Sequence, residues 1–189
     1  MTTGAPSLFV MRHGPAADDS ITGLDDDRIL TPAGRQRVER MAEALVAHGA
    51  VPSALVTSPL ARASETANLV ARTLRRHGRE VPVVVARELA PGRLSARTAA
   101  SLIAKASGPV CLVGHEPCLS QFVAEVAAVH LPRGFDKAMI VALVGEFAHL
   151  DRFSVGESAG SRSPDDPHGT SPRVAVKVAW VLDPLEHGG

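Results

Sequence analysis

The chain of 189 residues contains no tyrosine, one tryptophan and five phenylalanines, an aromatic share of only 3%. A stacking platform for single-stranded nucleic acid would have almost nothing on which to lay bases. Net charge is missing as well: 20 Lys+Arg stand against 20 Asp+Glu. That balance excludes a duplex-binding footprint and a polybasic membrane surface. Cys111 and Cys118 are the only cysteines, too few for a disulfide scaffold or a four-cysteine zinc site, and they fit a reducing compartment. The apolar run from Leu8 to Met11 is far shorter than a bilayer span, and the opening Met1-Thr2-Thr3-Gly4-Ala5-Pro6 has no basic segment and no long apolar stretch. The expectation is a cytoplasmic monomer with neither nucleic acid nor membrane as partner.

What is present suits one globular core. Hydrophobic residues make up 45% and charged residues 21%, so a single domain over residues 1–189 is expected. Ser7 to Arg12 reads as a buried strand ending at His13-Gly14-Pro15. Thr31-Pro32 opens a helix whose Val38, Met41, Ala42, Leu45 and Val46 form one apolar stripe, closed by Gly49. Strands are expected over Ala54 to Thr57, Val81 to Ala86 and Pro109 to Val113, and helices over Leu60 to His77, Ser95 to Lys105 and Cys118 to Val129. This alternation implies βαβ units, a mostly parallel sheet and sites at the carboxyl ends of its strands. Further strands are expected over Ala138 to Val144, Phe147 to Phe153 and Arg173 to Leu182. Ser154 to Pro172, rich in Ser, Gly, Pro and Asp, reads as a mobile surface loop.

Strand-to-loop breaks carry the reactive side chains: Arg12 and His13 after the first strand, Ser58 and Arg62 after the second, His115 and Glu116 after the one near 110. Gathered at one sheet edge, two arginines and two histidines make a pocket for a phosphate dianion. Guanidinium forks match phosphate oxygens, and an imidazole can attack phosphorus. Helices starting near Pro59 and Pro117 would point their amino ends at the same edge. Taken singly, each residue has a plainer reading as a turn, loop or solvated helix residue; their ordered occurrence favours a site. His48 and His77 read as helix C-terminal partners, the Arg75, Arg76 and Arg79 run as a solvated face, and both cysteines as packing residues.

Met11-Arg12-His13-Gly14, Leu30-Thr31-Pro32-Ala33-Gly34, Ser58-Pro59-Leu60-Ala61-Arg62-Ala63-Ser64-Glu65-Thr66-Ala67, Glu88-Leu89 and Gly114-His115-Glu116-Pro117 together resemble the histidine phosphatase superfamily. Within it, the short chain and compact loops most resemble SixA-type phosphohistidine phosphatases. The resemblance implies a phosphoglycerate mutase-like α/β fold, a three-layer α/β/α sandwich around a mostly parallel mixed sheet. It implies His13 as nucleophile, Arg12 and Arg62 as clamps on the phosphoryl oxygens with Ser58 beside them, and His115 as a donor that is most effective when protonated. It implies Glu88 as the acid for the leaving group, with Asp18 and Glu116 as weaker candidates, and no cofactor or metal. The mutase-like members carry an Asn shortly after the first motif, where this chain has Pro15, Ala16, Ala17 and Asp18. The short interval from Glu88 to Ser95 leaves no room for a lid. A phosphorylated protein bearing phosphohistidine is therefore the favoured substrate, with a small phosphate ester, or a binding module without turnover, as alternatives.

Overall fold

The structure is a computed structural model that describes residues 5–147 and 176–185. Its centre is a six-stranded sheet in the order β3-β2-β4-β1-β5-β6. The strands are β1 (Leu8–Arg12), β2 (Ala54–Thr57), β3 (Val83–Val85), β4 (Val110–Gly114), β5 (Ile140–Val144) and β6 (Lys177–Leu182). The first four are mutually parallel, while β5 runs antiparallel to both β1 and β6. The helices are α1 (Pro32–Ala47), α2 (Ala61–Arg76), α3 (Ala96–Ile103) and α4 (Cys118–Ala127). No helix among the described residues is long and apolar enough to cross a membrane.

Two-residue alternation splits the core into two layers. Phe9, Met11, Leu55, Cys111, Val113 and Ile140 pack with α1 and α2, whereas Leu8, Val10, Val56, Leu112, Val141 and Leu143 pack with α3 and α4. The arrangement follows from crossover handedness. The connections β1 to β2 and β2 to β3 move one way across the sheet, and β3 to β4 moves back. A right-handed crossover that reverses direction must change faces. The sheet is thus covered on both sides, which explains the near-continuous apolar runs of its central strands.

Local chemistry fixes the elements that frame the loops. Thr31 caps α1 by accepting from the Gly34 amide, with Pro32 in the first turn. Ser95 and Thr98 form a reciprocal capping box at α3. Two motif glycines are demanded by close approach: a Cβ on Gly34 would stand 2.0 Å from the Pro15 carbonyl oxygen, and one on Gly14 would stand 2.6 Å from Val38 Cγ2. Helix α1 therefore lies directly against the backbone that follows β1.

Several strands and helices are shorter than the sequence suggests, β3 most clearly: it keeps only Val83–Val85 and leaves Val84 and Val85 exposed at the sheet edge. Phe147, expected to start a strand, lies outside any strand. The rest of that expected strand and the loop over 154–172 lie outside the described residues. The histidines at helix ends behave as expected. His48 and His77 are the C-caps of α1 and α2, and His77 Nε2 lies 2.7 Å from Glu43 Oε2. Arg75 and Arg76 pair with Glu80 and Glu43.

Candidate functional site

The sheet register brings the three strand-to-loop breaks side by side. Arg12 is level with Gly114 and Thr57 with Val113, and the pairing continues one step beyond the strands. The His13 amide donates to Gly114 O at 3.1 Å, and the Ser58 amide to Val113 O at 3.0 Å. β1 and β4 are also where the parallel strand order reverses, the position at which open α/β sheets form a crevice. His13, Ser58, Arg62 and His115 meet there, all buried. The rings of His13 and His115 have centroids 5.0 Å apart.

Each of these side chains is held at one end. His13 Nδ1 lies 2.7 Å from the Gly14 carbonyl oxygen. A carbonyl can only accept, so Nδ1 carries the proton and Nε2 keeps a free lone pair. His115 Nε2 lies 2.8 Å from Ser58 Oγ, and that hydroxyl accepts from the Leu60 amide at 3.3 Å. The hydroxyl can then give its own proton to Nε2, which leaves Nδ1 of His115 as an N–H donor. Alternation turns Arg12 to the side of Leu8 and Val10, where Nη1 donates to Phe135 O at 2.6 Å. Arg62, in the first turn of α2, donates from Nη1 to Asp25 O at 2.7 Å and from Nη2 to Asp25 Oδ2 at 2.9 Å.

The free ends are as informative as the held ones. Among the described residues the buried side-chain nitrogens or oxygens without a partner are Arg12 Nε, Arg62 Nε, His115 Nδ1 and Arg28 Nε. Buried donors without acceptors cost about 1–3 kcal/mol each. Three of the four, on Arg12, Arg62 and His115, belong to groups close enough to act on His13, a place suited to acceptor oxygens.

The electrostatics correct one expectation. His13 is lowered to about 3 by burial first, partly offset by the Gly14 hydrogen bond, then by His115, Arg62 and Arg12. His115 is lowered to about 4 by burial and Arg62, with Asp25 opposing. A protonated His115, the state in which its donor would be most effective, is absent: both histidines are neutral at pH 7. Two fixed guanidinium charges in a desolvated crevice make a third and fourth cation unfavourable. The Nδ1–H left on neutral His115 still supplies a donor.

The carboxylate candidates separate clearly. Glu116 is spent on structure: Oε1 accepts from the Phe135 amide and from Ser120 Oγ. Asp18 is exposed. Glu88 is half-buried in the one-turn 3-10 helix Arg87–Leu89, which follows the strand beside β2. Cys118 is buried and its sulfur accepts from the Gly92 amide at 3.1 Å, while burial pushes the Cys111 thiol up to about 12.

Sequence reasoning passed over two residues of this cluster. Asp25 sits in an acidic run resembling any solvated surface, and only the fold shows it on Arg62. Thr66 lies in an alanine-rich helix and is fully buried; its Oγ1 accepts from the Gly14 amide at 3.0 Å and donates to Arg62 O at 2.7 Å. The signal for Thr66 was its four-residue spacing from Arg62, which stacks both on one helix face.

Comparison with known proteins agrees with this architecture. The chain is 36% identical over 124 residues to an uncharacterized protein of Picosynechococcus sp., a match covering 64% of this chain and 72% of that protein. It is 40% identical over 87 residues to the 2,3-bisphosphoglycerate-dependent phosphoglycerate mutase of Corynebacterium diphtheriae, covering 44% of this chain and 33% of the mutase. Among solved structures, the protein histidine phosphatase SixA complexed with tungstate superposes with a TM-score of 0.70 at 21% identity, over 95% of this chain and 97% of that one. That likeness establishes the phosphoglycerate mutase-like α/β fold. The family model of the histidine phosphatase superfamily (branch 1) matches residues 8–110, a stretch that contains β1 with its Arg12-His13-Gly14 end, β2, Arg62 and β3. The chain belongs to the histidine phosphatase superfamily, branch 1.

Proposed function

We propose that this chain is a metal-independent phosphatase that works through a phosphoryl group carried on His13, and that its substrate is phosphohistidine on another protein. The observation that carries the reading is the tautomer of His13. The Gly14 carbonyl holds the Nδ1 proton, and burial among cations keeps the ring neutral, so Nε2 presents a lone pair at neutral pH. A nucleophile needs that state.

In the proposed reaction, Nε2 of His13 attacks phosphorus and the bond from phosphorus to the leaving group breaks. The substrate imidazole departs neutral, its other ring nitrogen already carrying the proton, and water then hydrolyses the phosphoryl-His13 intermediate to inorganic phosphate. Arg12, Arg62 and the Nδ1–H of His115 supply donors and charge to the equatorial oxygens, where negative charge develops in the transition state. Ser58 fixes the His115 ring. Glu88 is the proposed proton donor for oxygen leaving groups. The built-in guanidinium cations do the work of charge neutralisation, and the site needs no metal.

The phosphohistidine assignment is supported by the fold likeness to SixA and by the residues after Gly14. Ala16 is pinned against Leu30, and no Asn occurs between Gly14 and Ser20. The identity to a phosphoglycerate mutase favours a second reading, a small-molecule phosphomonoesterase. One experiment separates them: phosphate release in EDTA from a phosphohistidine-bearing protein, a phosphoserine peptide and 3-phosphoglycerate, with wild type and His13→Ala. Release confined to the phosphohistidine protein and lost in the variant is expected. Faster turnover of 3-phosphoglycerate would reassign the substrate, and release that survives His13→Ala or stops in EDTA would overturn the mechanism.

A further inference from the structure

Arg62 is nearly fully buried, yet its partner is a side chain left 59% accessible on a surface loop. That loop is closed at its neck: the Ala17 amide donates to Ile29 O at 2.9 Å, Ala16 and Leu30 form a bridge, and the Thr31 amide donates to Pro15 O at 3.0 Å. Within it, Ser20 Oγ donates to Leu24 O at 2.7 Å and Thr22 Oγ1 to Asp27 Oδ2 at 2.6 Å. The one-turn 3-10 helix Asp25–Asp27 is thereby held in place, with both oxygens of Asp25 engaged: Oδ1 lies 3.1 Å from Arg28 Nη1 and Oδ2 lies 2.9 Å from Arg62 Nη2.

We infer that Asp25 and Arg28 are positioning residues for Arg62, the carboxylate bridging the two guanidinium groups so that the buried one keeps its remaining donors for the phosphoryl oxygens. The inference rests on the reading of Arg62 as a phosphoryl clamp. Of the five N–H groups on a guanidinium, Asp25 takes one from each terminal nitrogen of Arg62. The Nε–H remains buried and empty, as does that of Arg12. The parallel with Arg12 is close, since a main-chain oxygen, Phe135 O, holds its Nη1 in the same way. A carboxylate occupying the phosphate seat itself would have quenched the buried donors around it. Instead Arg62 Nε, Arg12 Nε and His115 Nδ1 stay unpartnered, so Asp25 leaves these donors for the phosphoryl oxygens. The hydrogen bond from Arg62 holds the carboxylate below its usual range, and Arg28 adds a smaller pull in the same direction.

The test measures inhibition of turnover by inorganic phosphate, with kcat and KM, in Asp25→Ala, Asp25→Asn and Arg28→Ala, alongside thermal melts and His13→Ala. Asp25→Ala takes one acceptor from a buried guanidinium, so the melts record how much stability goes with that contact. Inorganic phosphate should inhibit Asp25→Ala about tenfold more weakly than wild type, as expected for a displaced clamp. Asp25→Asn, which keeps an acceptor for Nη2, should recover part of that loss, and Arg28→Ala should shift inhibition in the same direction. Unchanged or tighter phosphate inhibition in Asp25→Ala overturns the inference, the tighter case making Asp25 a competitor of phosphate. A loss that merely tracks the unfolded fraction overturns it too. His13→Ala keeps the two claims apart: if it is inert while Asp25→Ala behaves as wild type, the His13 chemistry stands and the positioning role falls.

Discussion

Thr66→Val is the perturbation whose size the structure determines best. The two side chains have nearly the same shape, and Thr66 is fully buried, so the change opens no cavity. It deletes the acceptor of the Gly14 amide and a donor to Arg62 O. The Arg62 carbonyl, within α2, retains the helix ladder, but the Gly14 N–H is left without a partner next to the nucleophile. A stranded buried amide costs about 1–3 kcal/mol, so a loss of about 2 kcal/mol is expected. For a chain of this size that lowers the melting temperature by about 4–8 °C. Urea unfolding followed by circular dichroism gives the free energy, and Thr66→Ser, which keeps the hydroxyl, should recover most of it. Turnover should fall further than stability alone explains, because Gly14 O orients His13 Nδ1. A Thr66→Val protein within about 0.5 kcal/mol of wild type, the usual range of a neutral surface change, would refute the assignment of that amide to Thr66.

Further outcomes follow from the same contacts. Gly34→Ala should destabilise the protein by about 1–3 kcal/mol in thermal melts, since its Cβ would stand 2.0 Å from Pro15 O; overpacking against backbone outweighs the ~1 kcal/mol gain in helix propensity. A raised melting temperature would contradict the close approach. His13 and His115 are lowered to about 3 and about 4 in the fold, against about 6.5 when unfolded. The unfolded chain therefore binds more protons between pH 6.5 and 4, and stability falls as pH drops through that window, by about 2 kcal/mol per histidine at pH 5. Urea titrations at pH 7 and 5 check this, with a smaller drop expected for His115→Asn; identical slopes in both proteins would remove the buried neutral pair. The Cys111 thiol, buried and pushed up to about 12, should resist a thiol reagent until the protein unfolds, and rapid native-state labelling of Cys111 would contradict its burial.

Much of the fold was legible because its signals are local. The cap at Thr31, the proline after it and the stripe of Val38, Met41, Ala42 and Leu45 specify α1 without reference to the rest of the chain. Ala54 to Thr57 ends where β2 ends, since Ser58-Pro59 punctuates it. The motif residues at strand ends could be nominated because parallel strands carry their reactive groups at one edge. What escaped was tertiary. The Asp25 contact with Arg62 spans 37 residues, and an acidic run in a loop reads as solvated surface in any chain. The state of His115 depends on how deeply it is buried and on the cations that share its crevice, quantities that no spacing encodes. Glu116, adjacent in sequence to His115, turns away to hold the Phe135 amide and Ser120; neighbours in sequence at a strand end point in different directions.

The central claim is that the phosphoryl group passes through His13. Rapid quench of wild type with a phosphohistidine protein carrying labelled phosphate, followed by peptide mapping, addresses it directly. The account predicts an acid-labile, base-stable label on the peptide containing His13, formed faster than phosphate is released and absent in His13→Ala. Turnover with the label on another residue, or a His13→Ala protein that releases phosphate at the wild-type rate, would contradict it.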